Sequence, residues 1–191
     1  NNLGSLTSTT NLYLTATSNI NNSGTISGAN LDLNSASINN LGSLTSTTNL
    51  YLTATSDITN SGQITASNAT LSAQNITNSS TISGANLDLN SASIDNSGNL
   101  TATTNLNLTS SANITNSGQI TASNATLSAQ NITNSNLISA AILSLTAAND
   151  ITNNINGTIR STFGDLTLNA TNGSINNLGS LTSTTNLYLT A

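Results

Sequence analysis

The sequence predicts an all-β fold, a parallel β-helix of about ten stacked coils with three short strands in each. The coils are roughly 18–24 residues long, within the range of solenoid repeats. Three observations carry this. Long blocks recur unchanged: residues 1–16 (NNLGSLTSTTNLYLTA) return at 39–54 and 176–191, SGQITASNATLSAQNITNS occupies 61–79 and 117–135, and TISGANLDLNSASI occupies 25–38 and 81–94. Within each unit, apolar and polar residues alternate with a period of two in three short stretches, and nothing repeats at helical spacing. Units this short, punctuated by Gly and Asn, leave no room for three strands joined by hairpins. Each strand therefore pairs with its copy one unit away, ~4.8 Å along a common axis.

Alignment on the blocks places coil starts at Asn1, Asn21, Asn39, Thr59, Thr77, Asp95, Thr115, Thr133, Thr152 and Asn176. Shorter coils such as Asn21–Ile38 are interspersed with slightly longer ones such as Asn39–Ile58, and the ninth, Thr152–Ile175, is the longest. Residues 1–191 read as a single solenoid segment. The return at Asn176 of the block that opens at Asn1 suggests a window on a longer array with that period.

The interior is assigned column by column. The first face contributes Leu6, Ile26, Leu44, Ile64, Ile82, Leu100, Ile120, Ile138, Ile159 and Leu181. The second contributes pairs such as Leu12 and Leu14 or Leu31 and Leu33, with Ala69 and Ala125 replacing the first Leu in two coils. The third contributes an unbroken Ile column from Ile20 to Ile175. Small residues such as Ser8, Gly28 and Ala66 follow each first-face aliphatic and let the corner close over the core. One coil cannot cover its own apolar side chains, so stability must come from its neighbours.

Two rows of Asn mark the corners. Two residues past each third-face Ile comes Asn22, Asn40, Asn60, Asn78, Asn96, Asn116, Asn134, Asn153 and Asn177, with no exception. An Asn here can bond both its own backbone and its stacked twin, so these nine are assigned as a structural ladder. Gly follows two residues later in most coils, where a positive φ is expected; Ser80 and Asn136 break that rule. A second row (Asn11, Asn30, Asn49, Asn68, Asn86, Asn105, Asn124, Asn186) is interrupted by Ile142 and Asp165.

Composition removes several functions. Arg160 is the only basic residue against six Asp, for a net charge of −5, so the chain lacks the Lys and Arg clusters that nucleic acid requires. There is no His, Cys, Lys or Glu for general acid–base chemistry, and no catalytic residue, metal site or cofactor is assigned. Asp32 and Asp88 occupy equivalent positions three coils apart, roughly 14 Å, beyond the ~5–9.5 Å of glycosidase carboxylate pairs. Asp165 and Arg160 share coil 9 and suit a surface ion pair. The outward hydroxyls Thr7, Ser27, Thr45 and Thr65 raise ice or polysaccharide binding as a rival, but the adjoining column is too mixed for a matched array. The tyrosines of the second face (Tyr13, Tyr51, Tyr188) are read as strand-favouring residues in preference to sugar platforms. Sequons abound, Asn107 being the clearest outward one.

Coils 8 and 9 are irregular. Leu137 and Ile142 are placed outward, and Arg160 and Phe163 adjoin a lengthened corner between Ile159 and Leu166. Insertions in solenoids map to surface loops, so Leu137, Ile142, Arg160 and Phe163 form the candidate partner contact. The alternative is that Phe163 folds back as a cover over the exposed aliphatics.

Units such as SGQITASNATLSAQNITNS and SGNLTATTNLNLTSSANITNSG resemble the haemagglutinin repeats of filamentous-haemagglutinin-type exoproteins of bacterial two-partner secretion. The resemblance spans the whole chain. It implies a right-handed parallel β-helix, export through an outer-membrane transporter, and a secreted or cell-surface location. The expected role is that of a stalk or adhesive segment, not an enzyme, meeting a host-cell, bacterial-cell or matrix receptor. A self-assembling extracellular fibre, with coil ends associating end to end, is the alternative.

Overall fold

The computed structural model describes residues 1–191 and consists of strands, corners and turns with no helix. Its nineteen strands form one parallel sheet wound into a solenoid. The pairing follows the columns assigned from the sequence. On the first face Leu6 pairs with Ile26, Ile26 with Leu44 and Leu44 with Ile64. On the third face Ile20 pairs with Ile38, Ile38 with Ile58 and Ile58 with Ile76. The same apolar side chain recurs one coil above, so the alternation of period two becomes a continuous core. It contains 39 buried apolar residues in a single cluster. Each Leu or Ile in it contributes ~1.5–3 kcal/mol relative to exposure.

Several strands are longer than the predicted three per coil. Gln63–Asn78, Thr81–Asn96 and Asn99–Asn116 run around most of a turn without a break. Main-chain pairing continues through the corners because the coil above bends at the same place. Where a longer coil meets a shorter one, the surplus becomes a bulge, as between Ala102 and Asn105.

The glycines of the first corner depart from expectation. No residue of the chain has a positive φ. Close backbone approach excludes a side chain instead: a Cβ on Gly24 would overlap the carbonyl of Gly4, and one on Gly42, Gly62 or Gly118 that of Gly24, Gly42 or Gly98. The exceptions show what the missing glycine does. Gly42 and Gly62 donate their N–H groups to the ladder carbonyls Asn22 and Asn40 at 3.0 Å, and Ser43 and Gln63 then donate to the glycine carbonyls below at 2.9 and 2.8 Å. At Ser80 and Asn136 the first bond has no counterpart, and the second stretches to 3.4 Å (Thr81 to Gly62) and 3.3 Å (Leu137 to Gly118).

Candidate functional site

The buried Asn row is a hydrogen-bonded ladder from end to end. Each Nδ2 donates to the Oδ1 of the next coil: Asn22 to Asn40, Asn60 to Asn78 and Asn116 to Asn134 at 2.8 Å, and Asn134 to Asn153 at 2.9 Å. Asn2 joins below and Asn177 above. The same Nδ2 reaches a main-chain carbonyl of the coil above, Ser43 from Asn22 at 3.0 Å and Asn99 from Asn78 at 3.2 Å. Those carbonyls accept only a donor, which fixes the orientation of the amides. Asn22 through Asn153 are buried, and no buried side-chain polar atom lacks a partner. Corner polarity is thereby satisfied where the sheet ladder turns.

The second row runs on the surface. Asn30 donates to Asn11 at 2.8 Å, Asn49 to Asn30 at 2.9 Å, and the series continues to Asn124 on Asn105 at 3.3 Å. Ile142 ends it. Asp165 restarts it with coil 10, accepting from Asn186 Nδ2 at 3.0 Å, the Asn186 N–H at 3.2 Å and the Thr185 hydroxyl at 2.6 Å. The Thr185 hydroxyl, then the Asn186 backbone N–H, hold the Asp165 carboxyl below its ordinary pKa. The expected pairing of Asp165 with Arg160 does not form. Asp165 reaches up to coil 10, while Arg160 Nε donates down to Ser139 of coil 8 at 2.9 Å.

The four candidate contact residues share coils 8 and 9 without converging on one point. Ile142 and Phe163 sit at the corner between the first and second faces, 52% and 80% exposed. Phe163 donates its N–H to Ala141, and Gly164 packs against the Ile142 side chain. Phe163 therefore does not cover the neighbouring aliphatics; its ring projects into solvent. Leu137 and Arg160 stand on the flat first face, where Leu137 pairs with Thr158 and is half-buried. The arrangement is an exposed apolar corner, with one cation on the adjoining first face. Asp32 and Asp88 remain three strand spacings apart, roughly 14 Å, through Tyr51 and Thr70.

A second exposed feature was missed at the sequence level. Ile155, 77% exposed, lies in a corner where Gly157 stands four residues beyond Asn153 instead of the usual two. The spacing alone carried that signal. Leu178, on the next coil at the same corner, is also exposed. Compared with family models, curated proteins and solved structures, the chain matches none.

Proposed function

We propose that the chain is a rigid stalk with an adhesive corner, part of a large secreted or surface-exposed bacterial exoprotein. The observation that carries this is the uninterrupted axial ladder over a single core: every coil is bonded to the next on its faces and through its buried Asn. Such a stack forms a rod roughly 45 Å long at strand spacing, resistant to bending because each coil presses on its neighbours. A rod separates a tip from a surface, and the apolar corner of coils 8 and 9 gives it a place to hold a partner. The repeat pattern's resemblance to two-partner-secretion exoproteins supports the outer location and export through an outer-membrane transporter.

Coated microspheres test the adhesive part. Beads carrying the chain are expected to settle on epithelial or bacterial cells above the level of blank beads. Ile142→Asn combined with Phe163→Ser should remove most of that excess while circular dichroism stays unchanged. Equal retention of coated and blank beads would reduce the role to a spacer. Concentration-dependent rods of multiple length in electron micrographs would favour the fibre instead.

A further inference from the structure

The second face carries an arrangement that neither the ladder nor the corner of coils 8 and 9 explains. Tyr13, Asp32 and Tyr51 stand on three consecutive strands in direct register, Tyr13 opposite Asp32 and Asp32 opposite Tyr51. All three line one groove, with the amides of Asn11, Asn30 and Asn49 along its side. The tyrosines are 68% and 47% exposed, and the shorter Asp32 is half-buried between them.

The molecule contains its own control. Residues 81–94 repeat 25–38 without change, so Asp88 has the same local sequence as Asp32. Its register neighbours are Thr70 and Asn107, and Asp88 is exposed. The two tyrosines, not the local strand, enclose Asp32. Asp57, Asp150 and Asp165 all use their carboxylates to accept hydrogen bonds inside the protein. None joins Asp32, Asp88 or Asp95 to another residue, and of these three carboxylates only that of Asp32 stands between two tyrosines.

Two strand spacings separate the tyrosines by roughly 10 Å. With their ring faces turned along the axis, the two tyrosines flank the space over Asp32 from both sides. A guest midway sits roughly 5 Å from each ring, inside the ~6 Å reach of cation–π attraction, and directly over the carboxylate. Two negative ring faces and an anion select a cation. No basic side chain competes in the groove, since Arg160 lies on coil 9. A quaternary ammonium is weakly hydrated, so it sheds water into such a slot at lower cost than a primary ammonium does. We propose that Tyr13, Asp32 and Tyr51 form a binding slot for an alkylammonium group, with quaternary ammonium as the preferred guest.

Choline is the first probe, its binding followed by tyrosine fluorescence, which the absence of Trp leaves uncontaminated. Variants use residues that the same column already holds: Tyr51→Thr follows Thr70, and Asp32→Asn follows Asn107. Saturable choline binding is expected, weakened roughly fivefold by Tyr51→Thr and about tenfold by Asp32→Asn. The neutral tert-butyl isostere of choline should bind about tenfold more weakly than choline. Tyr188→Thr should change nothing, because its neighbour on coil 9 is Thr167. Thr70→Tyr with Asn107→Tyr should wall Asp88 and add a second equivalent of bound choline. Capture by phosphatidylcholine vesicles or by a trimethyl-lysine peptide, each lost with Asp32→Asn, supports the slot and names the carrier. No saturable choline binding, equal affinity for the isostere, or binding of cellotetraose that is indifferent to Asp32→Asn would each overturn it.

Discussion

Coils 2 to 8 keep nearly one length, whereas coil 9, Thr152–Ile175, is distinctly longer. The excess is spread over all three of its corners. Asn153 to Ile159 takes six steps where Asn78 to Ile82 takes four, and Ile159 to Leu166 and Leu168 to Ile175 each take seven where other coils take five or six. The interior does not register the change. Ile159, Leu166 and Leu168 are as buried as their counterparts below, Ile175 packs partly buried against the same core, and Asn153 keeps both ladder bonds at 2.9 and 2.8 Å. Core columns and the Asn ladder thus define a coil, and corners absorb whatever chain is left. The surplus goes outward, which is why Ile155 and Phe163 are among the most exposed apolar side chains.

The largest effect should come from breaking the ladder. Asn78→Ala removes the acceptor for Asn60 and the donor to Asn96, Ser80 and Asn99 in a buried site. Unpaired buried groups cost ~1–3 kcal/mol each, so a loss of roughly 3 kcal/mol is expected from urea unfolding. Asn153→Ala should cost about the same if coil 9 is held as the others are. Thr70→Ala, on the outward column, should stay within about 0.5 kcal/mol. Equal midpoints for Asn78→Ala and Thr70→Ala would remove the ladder from the account of stability.

What the sequence made legible divides along the same line. Every core column and the whole ladder could be read, because like stacks on like and each position recurs many times. The stack's steric demands could not. Gly24 looks like a turn glycine, yet the reason for it is the carbonyl of Gly4 one coil below, which no local pattern reveals. Side-chain direction at unique positions was equally hidden. Asp165 and Arg160 are close in sequence but reach to opposite coils, and Phe163 projects instead of covering. The slot around Asp32 needed the register between coils, since Tyr13 and Tyr51 are far from it in sequence and adjacent only across strands.

Shortening coil 9 tests whether corners only absorb length. Deleting Ile155 and Asn156 restores the usual two-residue step from ladder Asn to Gly. The change in unfolding free energy should not exceed about 1 kcal/mol, because loop closure depends weakly on length. A loss as large as that of Asn78→Ala would mean that the inserted corner braces the stack.

The smallest effect distinguishes the two kinds of surface row. In coils 1 to 7 the row is Asn on Asn, with no titrating group, and its bonds are indifferent to pH. Between coils 9 and 10 the acceptor is Asp165, whose folded pKa lies below its ordinary value because the Thr185 hydroxyl and the Asn186 N–H stabilise the anion. A depressed carboxylate pKa contributes attachment that is complete above the unfolded value of ~3.9 and is lost as pH falls through the lower folded value. The Asn186 amide proton shift, followed by NMR from neutral pH downward, should therefore hold steady until the acid range below that value and then move. Asp165→Asn should flatten the curve while leaving the Asn124 amide unchanged, since that coil never depended on a charge. Identical curves for wild type and variant would show that coil 10 is held without Asp165, and that coil 9 differs from its neighbours only in its corners.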